Sequence, residues 1–290
     1  MRERSADATA ALVTAPAPLR VIAVTSGKGG VGKTNLSANL AVALALQGER
    51  VCVLDADLGL ANLDVVLGLS PSRTLLHVLR GECTLAEVIV EGPAGVRIVP
   101  AASGFAELTA LGAAQQLRLL DEVDGLDGCF DVLLVDTAAG ISRNVLYFAA
   151  AATETLVVIT PEPTAITDAY ALVKILATRH GRRDFLVLVN MAAGTADAET
   201  AFRRLARVAE RFLRVRLEYL GYVPYDDAVP RAVRQQQPVV LGAPGTAASD
   251  ALTRLAQTLR GRPPASPTGG VQFFFRRLIE AGAASGREVR

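Results

Sequence analysis

The sequence predicts an α/β domain built on a mostly parallel β-sheet with helices on both faces. Two observations carry that expectation. Short apolar runs rich in β-branched residues alternate with segments of helix length. The composition is 51% hydrophobic but only 5% aromatic, with no Trp and with Ala, Leu and Val dominant. Strands buried on both faces and helices packed over them have that character.

In chain order, residues 1–19 read as a mobile arm. Strands are then expected at LRVIAVTS, RVCVLDAD, VRIVPA, FDVLLVDT, ETLVVIT, DFLVLVN and LEYLGYVP. Between the first two, residues 35–48 (NLSANLAVALALQG) carry apolar side chains at helical spacing and stop at Gly48. Beyond residue 241, LGAPGTAASDALTRLAQTLRG predicts a last covering helix, and RPPASPTGG is a Pro/Gly linker. VQFFFRRLIEAGA then predicts a short helix ahead of a polar tail. The expected division is an arm at 1–19, one domain at 20–262, and a linker, amphipathic helix and tail at 263–290.

The bulk numbers exclude several classes. Charged residues are 20% and the formal net charge is +1, so no overall field draws the chain to nucleic acid or an acidic membrane. Cys52, Cys83 and Cys129 are odd in number and far apart without a CxxC pair, which argues against disulfides or a zinc cluster and for a reducing cytosol. His77 and His180 stand alone, as filler rather than ligands. The first residues lack the uninterrupted apolar stretch of a signal peptide. The richest apolar run, VLYFAAAA, is too short to span a bilayer.

The chemistry begins at Gly27-Lys28-Gly29-Gly30-Val31-Gly32-Lys33-Thr34, which satisfies G-x-x-x-x-G-K-[ST] between a strand-like run and a helix-like one. Glycines let backbone N–H groups converge on phosphate oxygens, and the following helix aims its positive end at the same anion. Lys33 is expected at the β- and γ-phosphates and the Thr34 hydroxyl on Mg²⁺, with Asn35 in the first helical turn. Asp136 ends the apolar run of VLLVDTAAG, at the strand edge where open α/β sheets bind ligands. It fits a carboxylate polarising water on Mg²⁺. Asp55 and Asp57 close VCVLDAD, and two carboxylates two apart point the same way if the strand continues through them. A solvated turn explains Asp57 or Asp64 as readily in isolation; the position beside a phosphate loop favours function.

The loop KGGVGKT holds a second lysine, Lys28, that nothing in the loop requires once Lys33 is assigned. It resembles the deviant Walker A of the MinD/ParA class of P-loop ATPases. That resemblance implies two subunits closing face to face over two ATP molecules, with Lys28 crossing to the partner's nucleotide; the bland alternative is a solvated loop lysine. It also implies that Asp57 orients the attacking water, that Asp55 lies in the switch near Mg²⁺ and that Asp136 is the Walker B residue. Asn190, in LVLVNMA, would read the adenine, and the VPYDDAV loop would close over the base through Pro224 and Asp226. ATP hydrolysis would be slow until dimer closure or a partner completes the site.

The resemblance runs over nearly the whole chain and is sharpest with the FlhG/FleN family of MinD-like regulators of flagellar number. DADLGLANLDVVLGL, VRIVPAASG, DTAAGISRNVLYF, PEPTAITDAYALVKIL, VPYDDAVPRAVRQQQPVV and GGVQFFFRRL carry it. It implies control of flagellar number and placement through the GTPase FlhF and, in polar flagellates, the transcriptional activator FleQ. One departure matters. The family's D-Q-A-x-x-L-R helix, which stimulates the GTPase, is here DATAALV, keeping Asp7 and Leu12 but placing Ala8, Thr9 and Val13 at the Gln, Ala and Arg positions. Activator control is favoured accordingly.

In the C-terminal helix Val271, Phe274, Phe275, Leu278 and Ile279 fall on one face, with Gln272, Arg276 and Glu280 off it. Such a face suits a membrane interface, at the inner surface of the cell membrane or at a pole, or docking on the helix's own domain. The rival functions are a ParA-like DNA partition ATPase, suggested by RHGRRD and FRRLARVAERFLRVR, and a MinD-like cell-division-site ATPase. A scaffold that binds nucleotide without turnover is a third. Near-balanced charge argues against direct DNA binding.

Overall fold

A computed structural model describes residues 19–57, 62–100, 120–126, 128–263 and 273–279. The N-terminal arm with its altered motif, most of the linker, and Val271, Gln272 and Glu280 lie outside the described residues. Eight strands form one sheet in the order β3-β4-β2-β5-β1-β6-β7-β8. They are β1 (Arg20–Ser26), β2 (Val51–Ala56), β3 (Val90–Glu91), β4 (Arg97–Val99), β5 (Val132–Ala139), β6 (Glu154–Ile159), β7 (Asp184–Ala192) and β8 (Arg216–Pro224). Every pairing is parallel except β3 with β4.

Each of the seven expected runs contains a strand. VRIVPA supplies only Arg97–Val99, and β3 has no counterpart among those runs. β3 has two residues, too few for periodicity, and it turns back on β4 through Gly92, whose N–H donates to the Val96 carbonyl at 2.7 Å. Apolar side chains fill a layer on each face of the sheet. The helix Lys33–Ala45 is buried nearly all round, because the sheet lies on one side and the helix Ala247–Gly261 on the other. It turns out at Gly48 in the left-handed region (φ +93), where only glycine sits without strain.

The helices Arg143–Ala151, Pro163–Arg179 and Thr195–Leu213 cover the opposite face. On Thr195–Leu213 the apolar side packs inward, and Arg203, Arg204, Arg207 and Arg211 face solvent. The helix at 273–279 docks on this same layer. Phe274, Phe275 and Leu278 are 1%, 4% and 2% exposed, and the Phe274 ring stacks 6.5 Å from Phe148. Arg277 Nη2 donates to the Ala150 carbonyl at 2.8 Å. Of the two readings of this helix, the structure has the docked one. Among the described residues no helix is long and apolar enough to cross a membrane. All three cysteines are free thiols.

A buried ion pair closes the floor of the sheet. Arg20 donates through Nε to Glu154 Oε1 at 2.5 Å and through Nη2 to Oε2 at 2.7 Å, and its Nη1 reaches the Leu259 carbonyl. This fork ties β1, β6 and the last covering helix together. Removing one partner would strand a buried charge, a loss of about 3–5 kcal/mol. Glu154→Ala is therefore expected to lower unfolding free energy by that order in urea titration; a midpoint matching the parent chain would discount the pair.

Candidate functional site

The phosphate loop spans the end of β1 and the start of the helix Lys33–Ala45, and its close approaches explain its glycines. A Cβ on Gly27 would stand 2.1 Å from the backbone carbonyl carbon of Asp168, so the loop passes flush against the helix Pro163–Arg179. Gly32 caps the following helix at φ +84, and a Cβ there would lie 2.6 Å from Asn190 Nδ2. Lys33, in the first turn, is buried. Burial holds its ammonium below the ordinary lysine range, while the charges of Asp136 and Asp57 oppose that shift.

Those carboxylates come from neighbouring strand ends. Asp55 on β2 stands in register with Asp136 on β5, and both are buried. Burial, reinforced by the charge of Asp136, pushes Asp55 up to about 7, against backbone hydrogen bonds from Asp57 and Leu63. Burial likewise pushes Asp136 up to about 6, opposed by hydrogen bonds from the Thr34 and Ser37 side chains and by Lys33. Asp57 departs from the expected alternation. β2 ends at Ala56, and the chain turns so that the Asp57 N–H donates to Asp55 Oδ1 at 3.0 Å. Asp57 still lies near enough to the cluster for its charge to act on both Lys33 and Asp136.

This donor set fits a divalent cation beside a polyphosphate. Asp136 Oδ2 is buried without a hydrogen-bond partner, an anionic oxygen that a cation or its water would satisfy. Among the described residues no cluster of three or more His, Cys, Asp or Glu could hold a metal alone. A Mg²⁺ ion that takes much of its shell from phosphate and water needs none.

Asn190, at the end of β7, gives its Nδ2 to the Val31 carbonyl at 2.8 Å. It opens on a cavity also lined by Gly32, Asn35, Met191, Pro224 and Tyr225. Asp226 borders the cavity, but its carboxylate accepts from the backbone N–H groups of Ala228 (2.8 Å) and Ala248 (3.0 Å), which hold its pKa below the usual range. It braces the loop rather than offering a free acceptor. Met191, beside Asn190, and Tyr225, inside the VPYDDAV loop, join the expected residues here; both are more than 40% exposed at the cavity mouth.

Lys28 lies apart from Lys33, at the lip. Its Nζ donates to Glu162 Oε2 at 2.6 Å and to Thr164 Oγ1 at 3.0 Å, on the surface. The expectation that nothing in its own loop needs Lys28 holds for the loop but not for the subunit, because residues at the start of the helix Pro163–Arg179 engage it. An exposed pair of this kind contributes about 0–1 kcal/mol, so it exchanges readily.

With this geometry in view, residues 22–239 match the family described as the CobQ/CobB/MinD/ParA nucleotide binding domain. The chain belongs to that family. It is similar to the antiactivator FleN of Pseudomonas aeruginosa, with 50% identity over 264 residues covering 91% of this chain and 94% of that one. The flagellum site-determining protein YlxH of Helicobacter pylori is 36% identical over 266 residues, covering 90% of each chain. Among solved structures, MinD of Pyrococcus horikoshii complexed with Mg-ADP is 26% identical with a TM-score of 0.67, covering 84% of this chain and 96% of that one. Within the MinD/ParA class the chain stands with the FlhG/FleN group, as a MinD-like ATPase regulating flagellar number.

The paired carboxylates give a pH signature. Their folded-state values lie above the ordinary 3.8, so the folded, nucleotide-free protein keeps protons that the unfolded chain releases. That stability is full below about pH 4 and is lost as pH rises through about 6 and about 7. Asp55→Asn should flatten this fall in thermal midpoint, measured without nucleotide. A parallel fall in the variant and the parent would refute the assignment.

Proposed function

We propose that two copies of this chain close over two MgATP molecules, hydrolyse them slowly, and in the ATP-bound dimer regulate flagellar number through a transcriptional activator of the FleQ kind. The observation that carries this reading is the division of labour between two lysines of one loop. Lys33 is buried against the carboxylates, while Lys28 presents its cation at the rim, held by a weak surface pair. A rim cation that leaves Glu162 and Thr164 at little cost is suited to a second subunit's nucleotide.

Adenine is favoured by Asn190. Its Nδ2 is committed to the Val31 carbonyl, which leaves Oδ1 to accept from a 6-amino group and to repel a 6-oxo group. Thr34, Asp55 and Asp136 would hold Mg²⁺, which when bound neutralises charge developing on the transferred phosphoryl group. Lys33 draws in the β- and γ-phosphates, and Asp57 orients the attacking water. Phosphoryl transfer asks mainly for positioning and charge, so no reactive nucleophile is needed from the protein.

FlhF is the lesser partner in this reading, because DATAALV lacks the glutamine and arginine of the stimulating motif. The reading in competition is ATP-dependent DNA binding of the partition kind, favoured by the exposed Arg203, Arg204, Arg207 and Arg211; its association would weaken steeply with salt.

Asp57→Ala in saturating MgATP is expected to run as a dimer in light scattering, and adding Lys28→Ala should return it to one subunit without loss of ATP binding. A single-subunit mass for Asp57→Ala, or a persistent dimer without Lys28, would overturn the proposal. With Phe274 and Phe275 docked, the nucleotide-free protein should stay out of the pellet when sedimented with anionic liposomes. Sedimentation with liposomes in the absence of ATP would contradict the docked helix.

A further inference from the structure

Ser37 has no place in the phosphate-loop motif, yet its hydroxyl is fully buried and donates to Asp136 Oδ1 at 2.9 Å. Inside a helix such as Lys33–Ala45, a buried serine usually returns its proton to the carbonyl four residues earlier. Here the proton goes instead to a carboxylate on β5. Ser37 stands three residues after Thr34 and four after Lys33, so all three side chains share the face turned to the strand ends. The other oxygen of the same carboxylate, Oδ2, is buried without a partner.

We propose that Ser37 is a positioning residue for the cation site: by holding Oδ1 of Asp136 it keeps Oδ2 turned toward the divalent cation. This rests on the MgATP reading and adds to it a residue that neither the motif nor the comparisons assign. A carboxylate on two strand-end bonds can rotate about its last torsion, which is broad and roughly two-fold. One fixed hydrogen bond to Oδ1 removes that freedom, so the ion meets an oriented oxygen instead of orienting it. Thr34 cannot supply this alone, because its hydroxyl is itself a candidate ligand of the ion. Asp55 is engaged elsewhere, its Oδ1 and Oδ2 accepting from the backbone N–H groups of Asp57 and Leu63.

The role separates from general support of the fold by comparing nucleotide binding with and without the cation. Ser37→Ala is well tolerated in a helix, alanine being the strongest helix former. ADP binding to the full chain would be titrated in excess EDTA and again across a Mg²⁺ series. Equal ADP affinity in EDTA is expected for Ser37→Ala and the parent. The Mg²⁺ concentration for half of the full enhancement should rise about tenfold in the variant, equivalent to about 1.4 kcal/mol. An unchanged Mg²⁺ midpoint would overturn the inference, and so would an equal loss of ADP affinity in EDTA, which marks a displaced helix. Failure of the underlying MgATP reading looks different: the parent chain itself would bind nucleotide without any Mg²⁺ dependence.

Discussion

Two carboxylates facing each other across neighbouring parallel strands, Asp55 and Asp136, set the terms for everything around them. Parallel strands in register bring their ends together, and burial removes the water that would otherwise screen the pair. Each is less acidic than an exposed aspartate as a result. Lys33 supplies one cation, hydroxyls from Thr34 and Ser37 supply hydrogen bonds, and Asp136 Oδ2 is still unsatisfied. The protein alone leaves an oxygen of the pair without a partner, a deficit that a bound divalent ion would relieve.

The surrounding architecture serves the same approach. Gly27 lets the loop lie against the backbone of the helix Pro163–Arg179, and Gly32 leaves room for the Asn190 amide. Asn190 in turn grips the Val31 carbonyl, so the loop and the cavity beside Asn190 share a hydrogen bond. Asp226 locks the far wall of that cavity to the helix Ala247–Gly261 through the Ala248 N–H. Loop, cavity wall and covering helix are thus one connected unit.

Much of this was legible in the sequence, for reasons that differ by residue. The strands were readable because burial on both faces demands continuous apolar runs, and the phosphate loop because its close approaches admit only glycine at Gly27 and Gly32. β3 escaped because a two-residue strand has no period. The turn at Asp57 escaped because alternation says nothing about where a strand stops. The pairing of Lys28 with Glu162 and of Ser37 with Asp136 depends on strand order, which brings together residues 134 and 99 positions apart. Ser37 did leave a faint trace: a hydroxyl one helical turn beyond Lys33 and Thr34, on the face they share. The C-terminal helix showed its apolar face but not its cover, since Phe148 and the Ala150 carbonyl come from a distant segment.

The docked position of that helix sets a quantitative bound on its use elsewhere. Phe274, Phe275 and Leu278 are the side chains that would enter a lipid surface, and they are already out of water. Burying a side chain of this size is worth about 2 kcal/mol, and each 1.4 kcal/mol of docking lowers the detached population about tenfold. Adhesion to any second surface is scaled down by that same population. A change of about 1.4 kcal/mol in how firmly Phe148 and the Ala150 carbonyl hold the helix would therefore move attachment to any such surface about tenfold, with the side chains that meet it unaltered.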